Sequence, residues 1–299
     1  MLHCGMSDGG ASAGVWDAID GRMFKALIPI AAAWFLAAPA VAQDDPPFDP
    51  NCPQGDLAAE RGPGSVCIGR LTEDYAFSVV YPAEAAAIPR LDAYLRDEAL
   101  RDEVRFEATA GEFRAEAGSD GPQLSYEQVW RIDALLPELI ALSSTRGVYT
   151  GGAHGGIQYR TLLYDRRRNR VIELADIFTI GAFERDFLGK RPVGEGAMQR
   201  AFCRALRDEV RDRRDDPNVR IDCPDVMAQP ITLVCSPNNR IEAMRALVAP
   251  YVVGSWAEGP YEVDFPIDAL MMAAVRRHFR PAFAVPGENR PPRLREPCT

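Results

Sequence analysis

Apolar and polar positions alternate along much of the chain at two periods. "YAFSVVY" (75–81) sets Tyr75, Phe77, Val79 and Tyr81 against smaller residues, a period of two that predicts a strand ending at Pro82. Residues 89–117 are charged, rich in Ala, Leu, Arg and Glu, and free of internal proline. They predict a long surface helix that starts at Pro89 and stops near Gly118, with an apolar face (Leu91, Tyr94, Leu95, Ala99) clear only in its first half. "LSYEQVWRID" (124–133) and "ELIALSSTRGVY" (138–149) predict neighbouring strands, and "IQYRTLLYD" (157–165) a third. After the charged turn "RRRN", "RVIELADIF" (170–178) starts extended and turns helical near Asp176. Met198, Phe202, Ala205, Leu206 and Val210 form the apolar stripe of a second helix over 196–213. Strands follow at 229–235, 241–253 and 259–266, the middle one also readable as a helix on composition. Ile267, Leu270, Met271, Ala274, Val275 and His278 recur at helical spacing and predict a last helix.

Most adjacent strands are joined by short turns. The expected fold is α+β, with antiparallel sheet and helices packed on one face. Residues 43–70, rich in Pro, Gly and Asp, read as a loop segment, and the tail 284–299 is rich in Pro and Arg.

The N-terminus changes the compartment. "MFKALIPIAAAWFLAAPAVAQ" (23–43) has a basic start, an apolar core and Ala40-Val41-Ala42 before Gln43. This is the layout of a secretory signal peptide cleaved near 42/43, with Met23 as the expected start and residues 1–22 upstream of it. The apolar run is short for a membrane span and carries Pro29 and Pro39. The expectation is a periplasmic or otherwise exported protein with no membrane span once the signal is removed.

Export makes disulfides the natural reading of Cys52, Cys67, Cys203, Cys223, Cys235 and Cys298, since no C-x-x-C occurs. Cys52 and Cys67 close a small loop, and Cys203 on the second helix can reach Cys223 in the loop after it. Cys235 with Cys298 remains by elimination, and other connectivities stay open. The formal charge of −9 and pI near 5.0 disfavour nucleic acid and suit a basic protein partner.

The enzyme signatures are missing. There is no G-x-S-x-G, no P-loop and no H-E-x-x-H. Only three histidines occur, so a histidine-built zinc centre is not expected. His278, on the apolar stripe, reads as a buried core histidine. "YTGGAHGG" (149–156) places His154 among glycines and leads into a strand, so no helix N-terminus stands behind it to hold phosphate. Gly151, Gly152, Gly155 and Gly156 allow positive φ in a tight connection between strands, with the imidazole satisfying buried backbone groups or packing on the sheet. No catalytic residue, metal ligand or cofactor is assigned.

The run "VYTGGAHGGIQYRTLLYD", then "RVIELADIF", then "LVAPYVVGSWAEGPYEVDFPIDAL" resembles the DUF3298 family, with Tyr149, Gly151, Gly152, His154 and Gly155 in its motif loop. That family occurs in the extracytoplasmic part of the anti-sigma factor RsiV and beside the catalytic domain of the deacetylase PdaC. "YAFSVVYP" and the helix after it resemble the companion DUF4163 module. The resemblance implies a DUF4163-like module over 71–145 and a DUF3298-like module over 146–283. It also implies a non-catalytic binding protein of the cell envelope, with c-type lysozyme or another cell-wall-related protein as partner. The loop 249–260 then carries the expected contacts, Pro250, Tyr251 and Trp256, with Tyr261 beside it. Two alternatives stand: an envelope enzyme acting on peptidoglycan at a site around His154 and Asp176, and a structural envelope protein.

Overall fold

Among the described residues, two sheets and two long helices make up the fold. The computed structural model describes residues 58–62, 65–118, 121–179, 196–236 and 239–284. The expected signal peptide, Cys52, Cys298 and the Pro/Arg-rich tail lie outside the described residues. The larger sheet has seven strands in sequence order: β1 (Ala58–Gly62), β2 (Ser65–Leu71), β3 (Tyr75–Pro82), β4 (Leu124–Leu135), β5 (Leu139–Tyr149), β6 (Gly156–Asp165) and β7 (Arg170–Ile172). Every pairing is antiparallel except β3 with β4. A parallel pair needs a crossover. That crossover is α1 (Ala83–Ala86) followed by α2 (Pro89–Ala117), which starts on Pro89 and stops at Gly118 as the sequence predicts.

α2 lies on one face of this sheet. Leu91, Leu95, Ala99, Phe106 and Ala110 bury against Val66, Phe77, Val79, Leu142 and Leu162. The apolar stripe thus continues into the second half of the helix, interrupted by two buried carboxylates, Asp102 and Glu103. Asp102 accepts hydrogen bonds from Tyr126 (2.8 Å), Arg146 (2.8 Å) and Arg160 (2.9 Å). Glu103 pairs with Arg70 at 2.7 Å, and burial pushes its carboxyl above the usual range against that charge.

The smaller sheet is β8 (Ile231–Cys235), β9 (Ile241–Val248) and β10 (Tyr261–Pro266), in the order β10-β9-β8. Between the sheets in sequence come α3 (Leu174–Ile177) and α4 (Ala197–Arg214). α4 packs Met198, Phe202, Leu206 and Val210 into a second core with Leu233, Met244, Val263 and Phe265, joined by Ala141 and Leu163 from the larger sheet. Each fully buried Leu or Phe here contributes roughly 2 kcal/mol. The Cys203–Cys223 disulfide ties α4 to the segment before β8, as expected. Cys67 and Cys235 are disulfide-bonded as well.

The fold is α+β as anticipated, with each long helix covering one face of a sheet. Three readings need correction. Residues 58–62 and 65–71, taken as loop, are strands. The last helix, α5, spans only Ala269–Ala274, because Val275 forms a bridge with Phe178 and Arg276 N–H donates to the Ile177 carbonyl. His278 therefore lies beyond the helix, half-buried, in contact with Phe279 and Arg168. Burial and the Arg168 charge hold its pKa below the usual value. The expected boundary at 145/146 falls inside β5, which is paired on both sides.

Candidate functional site

The glycine loop and the late aromatic loop, about a hundred residues apart in the chain, meet. β5 ends at Tyr149 and β6 begins at Gly156, so residues 150–155 form the connection. Of the four glycines that allow positive φ, only Gly151 adopts it, at +81°. A Cβ there would stand 2.3 Å from the ring of Phe113, so the loop rests against the end of α2. Tyr149 closes the turn by donating to the Gly152 carbonyl at 3.3 Å.

His154 is exposed, which overturns the reading that its imidazole satisfies buried groups. Its Nδ1 lies 2.9 Å from the Gly155 carbonyl, and Nε2 is 3.4 Å from the Tyr251 hydroxyl. The ring stacks on Trp256, with centroids 4.5 Å apart and planes within 21°. Tyr251 completes a triangle, 6.5 Å from His154 and 6.1 Å from Trp256, tilted 30° to each. Tyr251 is 65 % exposed and has φ +69°. A bulky side chain in left-handed backbone is an outlier that costs on the order of 1–3 kcal/mol and persists only where its surroundings impose it.

Those surroundings are visible. Tyr251 N–H donates to the Gly254 carbonyl, closing a turn at 251–254. Trp256–Glu258 form a single 3-10 turn capped reciprocally by Ser255 and Glu258. Glu258 is the brace. It accepts from Tyr261 at 2.7 Å, from Ser255 N–H at 3.0 Å and from Arg214 of α4 at 2.8 Å. These donors, the Tyr261 hydroxyl foremost, hold its carboxyl down at about 2. A Cβ on Gly254 would meet that carboxylate at 2.6 Å, so the residue must be glycine for Glu258 to approach. Arg213 adds hydrogen bonds to the Glu258 and Pro260 carbonyls and lies 3.8 Å over the Tyr261 ring.

Of the expected contact residues, Tyr251 and Trp256 therefore join His154. Pro250 and Tyr261 are buried, and Tyr261 braces the loop by donating to Glu258. Of the braces, Arg213 and Arg214 carry no recognisable sequence motif, whereas Glu258 ends the S-x-x-E capping box that starts at Ser255. Asp176, expected near His154 in an enzyme, sits beyond the other end of β6, a strand roughly 33 Å long. It pairs with Arg170 and caps α3. Among the described residues no group of three or more His, Cys, Asp or Glu converges as a metal site, and no helix is long and apolar enough to cross a membrane.

No family model and no curated protein matches the chain. Solved structures similar to it include two of the DUF3298 family. One, from Pseudomonas aeruginosa PAO1, has 18% identity and a TM-score of 0.45, covering 78% of this chain and 99% of its own. The other, from Bacteroides fragilis, has 16% identity and a TM-score of 0.38, covering 71% of this chain and 91% of its own.

Proposed function

We propose that this is an exported, non-catalytic binding protein of the cell envelope, of the DUF3298 kind with a DUF4163-like N-terminal module. Its partner docks on His154, Tyr251 and Trp256. The observation that carries the reading is the braced aromatic triangle. A strained, exposed tyrosine is held beside a stacked His–Trp pair by a charge-assisted network from α4. Aromatic side chains fixed in advance offer large contact area with little entropy left to lose on binding. The signal-like segment 23–43 supports export, and the charge of −9 favours a basic partner by speeding encounter. Together with the family resemblance these features support a basic cell-wall protein as partner, with c-type lysozyme the first to test.

The test is binding of the chain from Gln43 onward to c-type lysozyme by calorimetry, at low and physiological salt. The reading expects saturable binding whose association slows as salt rises. Absence of binding at high micromolar concentration at both salts removes lysozyme as the partner.

A further inference from the structure

The edge of the larger sheet carries a second surface. β6 pairs with β5 along its whole length, but β7 covers only Leu163–Asp165 on its other side. Among the described residues, 156–162 therefore form an open edge. Which main-chain groups point outward follows from one bond. Arg166 N–H donates to the Glu138 carbonyl on the β5 side. Along a strand these groups change side at every residue. The even residues of β6 thus bond to β5, while Ile157, Tyr159 and Thr161 direct N–H and C=O away from it. Among the described residues no backbone or side-chain group pairs with those outward groups.

Open edges are ordinarily blunted by charge, proline or a bulge. This run, "GIQYRTL", has no proline, and the β5–β6 register shows no bulge. Its one charge, Arg160, is drawn under α2 to Asp102 at 2.9 Å. The edge is also matched to itself. An antiparallel copy centred on Tyr159 sets Ile157 opposite Thr161 and Gln158 opposite Arg160, with Tyr159 facing its own counterpart. No like charges oppose each other, and an aromatic pair sits on the axis. The five paired residues stop short of Leu163, so neither β7 lies in their path.

We propose that two copies of this chain associate through β6, edge to edge about a two-fold axis, making one sheet continuous across both protomers. Main-chain hydrogen bonds, about six across the five-residue run, hold the pair. The two aromatic triangles then lie at opposite ends of the paired strands, with their His154 residues roughly 33 Å apart along them, which makes the dimer bivalent.

Sedimentation equilibrium of the full chain across micromolar concentrations tests this, with hydrogen exchange at single-residue resolution. The expected result is a mass twice that of one chain, with the amides of Ile157, Tyr159 and Thr161 slowing as concentration rises. Thr161→Pro removes one outward N–H and leaves the β5 ladder whole, as suits an edge position. It should sediment as one chain with an unchanged circular dichroism spectrum. If that variant fails to fold, the concentration dependence of the three wild-type amides decides. A wild-type protein that stays single at about 100 µM, a dimer that persists in the folded proline variant, or three amides that exchange freely in the dimer would each overturn the proposal.

Discussion

Replacing Gly151 by alanine isolates what holds the histidine loop in place. Two costs arise. Left-handed backbone at φ +81° disfavours any Cβ by about 1–2 kcal/mol. The new methyl would also stand 2.3 and 2.6 Å from two atoms of the Phe113 ring, which must swing out of its place against α2. Losing that partly buried contact costs roughly another 1 kcal/mol. The total, about 2–3 kcal/mol, should appear as a lower urea midpoint with an unchanged slope. A double-mutant cycle separates the terms. In a Phe113→Ala background the steric part has gone, and Gly151→Ala should cost only the backbone part, leaving a coupling of about 1 kcal/mol. Equal costs in both backgrounds would refute the packing argument. A cost below about 0.5 kcal/mol in the wild type would refute the conformational one as well.

Other outcomes follow from the same contacts. Asp102→Ala removes the buried carboxylate shared by Arg146, Arg160 and the Tyr126 hydroxyl, leaving them, among the described residues, only Gln158, Glu98 and Gln128, and should cost about 3 kcal/mol in chemical denaturation, more than Asp102→Asn. Glu258 should titrate near 2 by carbon-13 NMR, below the 4.5 of the free side chain. Because its folded pKa is depressed, its contribution to stability is present above about 4.5 and is lost as pH falls toward 2. Arg214→Met should bring its midpoint back up. Cys203→Ala with Cys223→Ala opens a loop of 20 residues and should lower stability by about 3 kcal/mol, read from thermal unfolding.

Local pattern carried much of the fold. β3, α2 and α4 follow their periodicity to within a residue or so at each end, and the late strands start within two residues of the expected positions, although the one expected over 241–253 stops at Val248. β2 was hidden because Gly, Pro and Ser around Cys67 look like turn chemistry, whereas its pairing with β3 is set by long-range contacts. The apolar stripe in the second half of α2 was masked in the sequence because Asp102 and Glu103 are buried with arginines from other strands. No window along one helix contains those partners. The last helix failed for a related reason. Val275 recurs at helical spacing yet is claimed by a bridge to Phe178. At the candidate site each loop was legible on its own, as glycines around a histidine and as aromatics between Gly and Pro. Their meeting was not, since it depends on Arg213 and Arg214 at the end of α4 fastening the loop at Glu258.

The most direct test of the account is Trp256→Ala in the lysozyme titration, set beside Val104→Asp on the exposed outer face of α2. The aromatic triangle as docking surface predicts that Trp256→Ala loses at least about 2 kcal/mol of affinity, roughly thirtyfold in Kd, with the melting temperature nearly unchanged, while Val104→Asp binds as the wild type. Equal affinities for wild type and a folded Trp256→Ala protein would contradict the claim and place the working surface elsewhere.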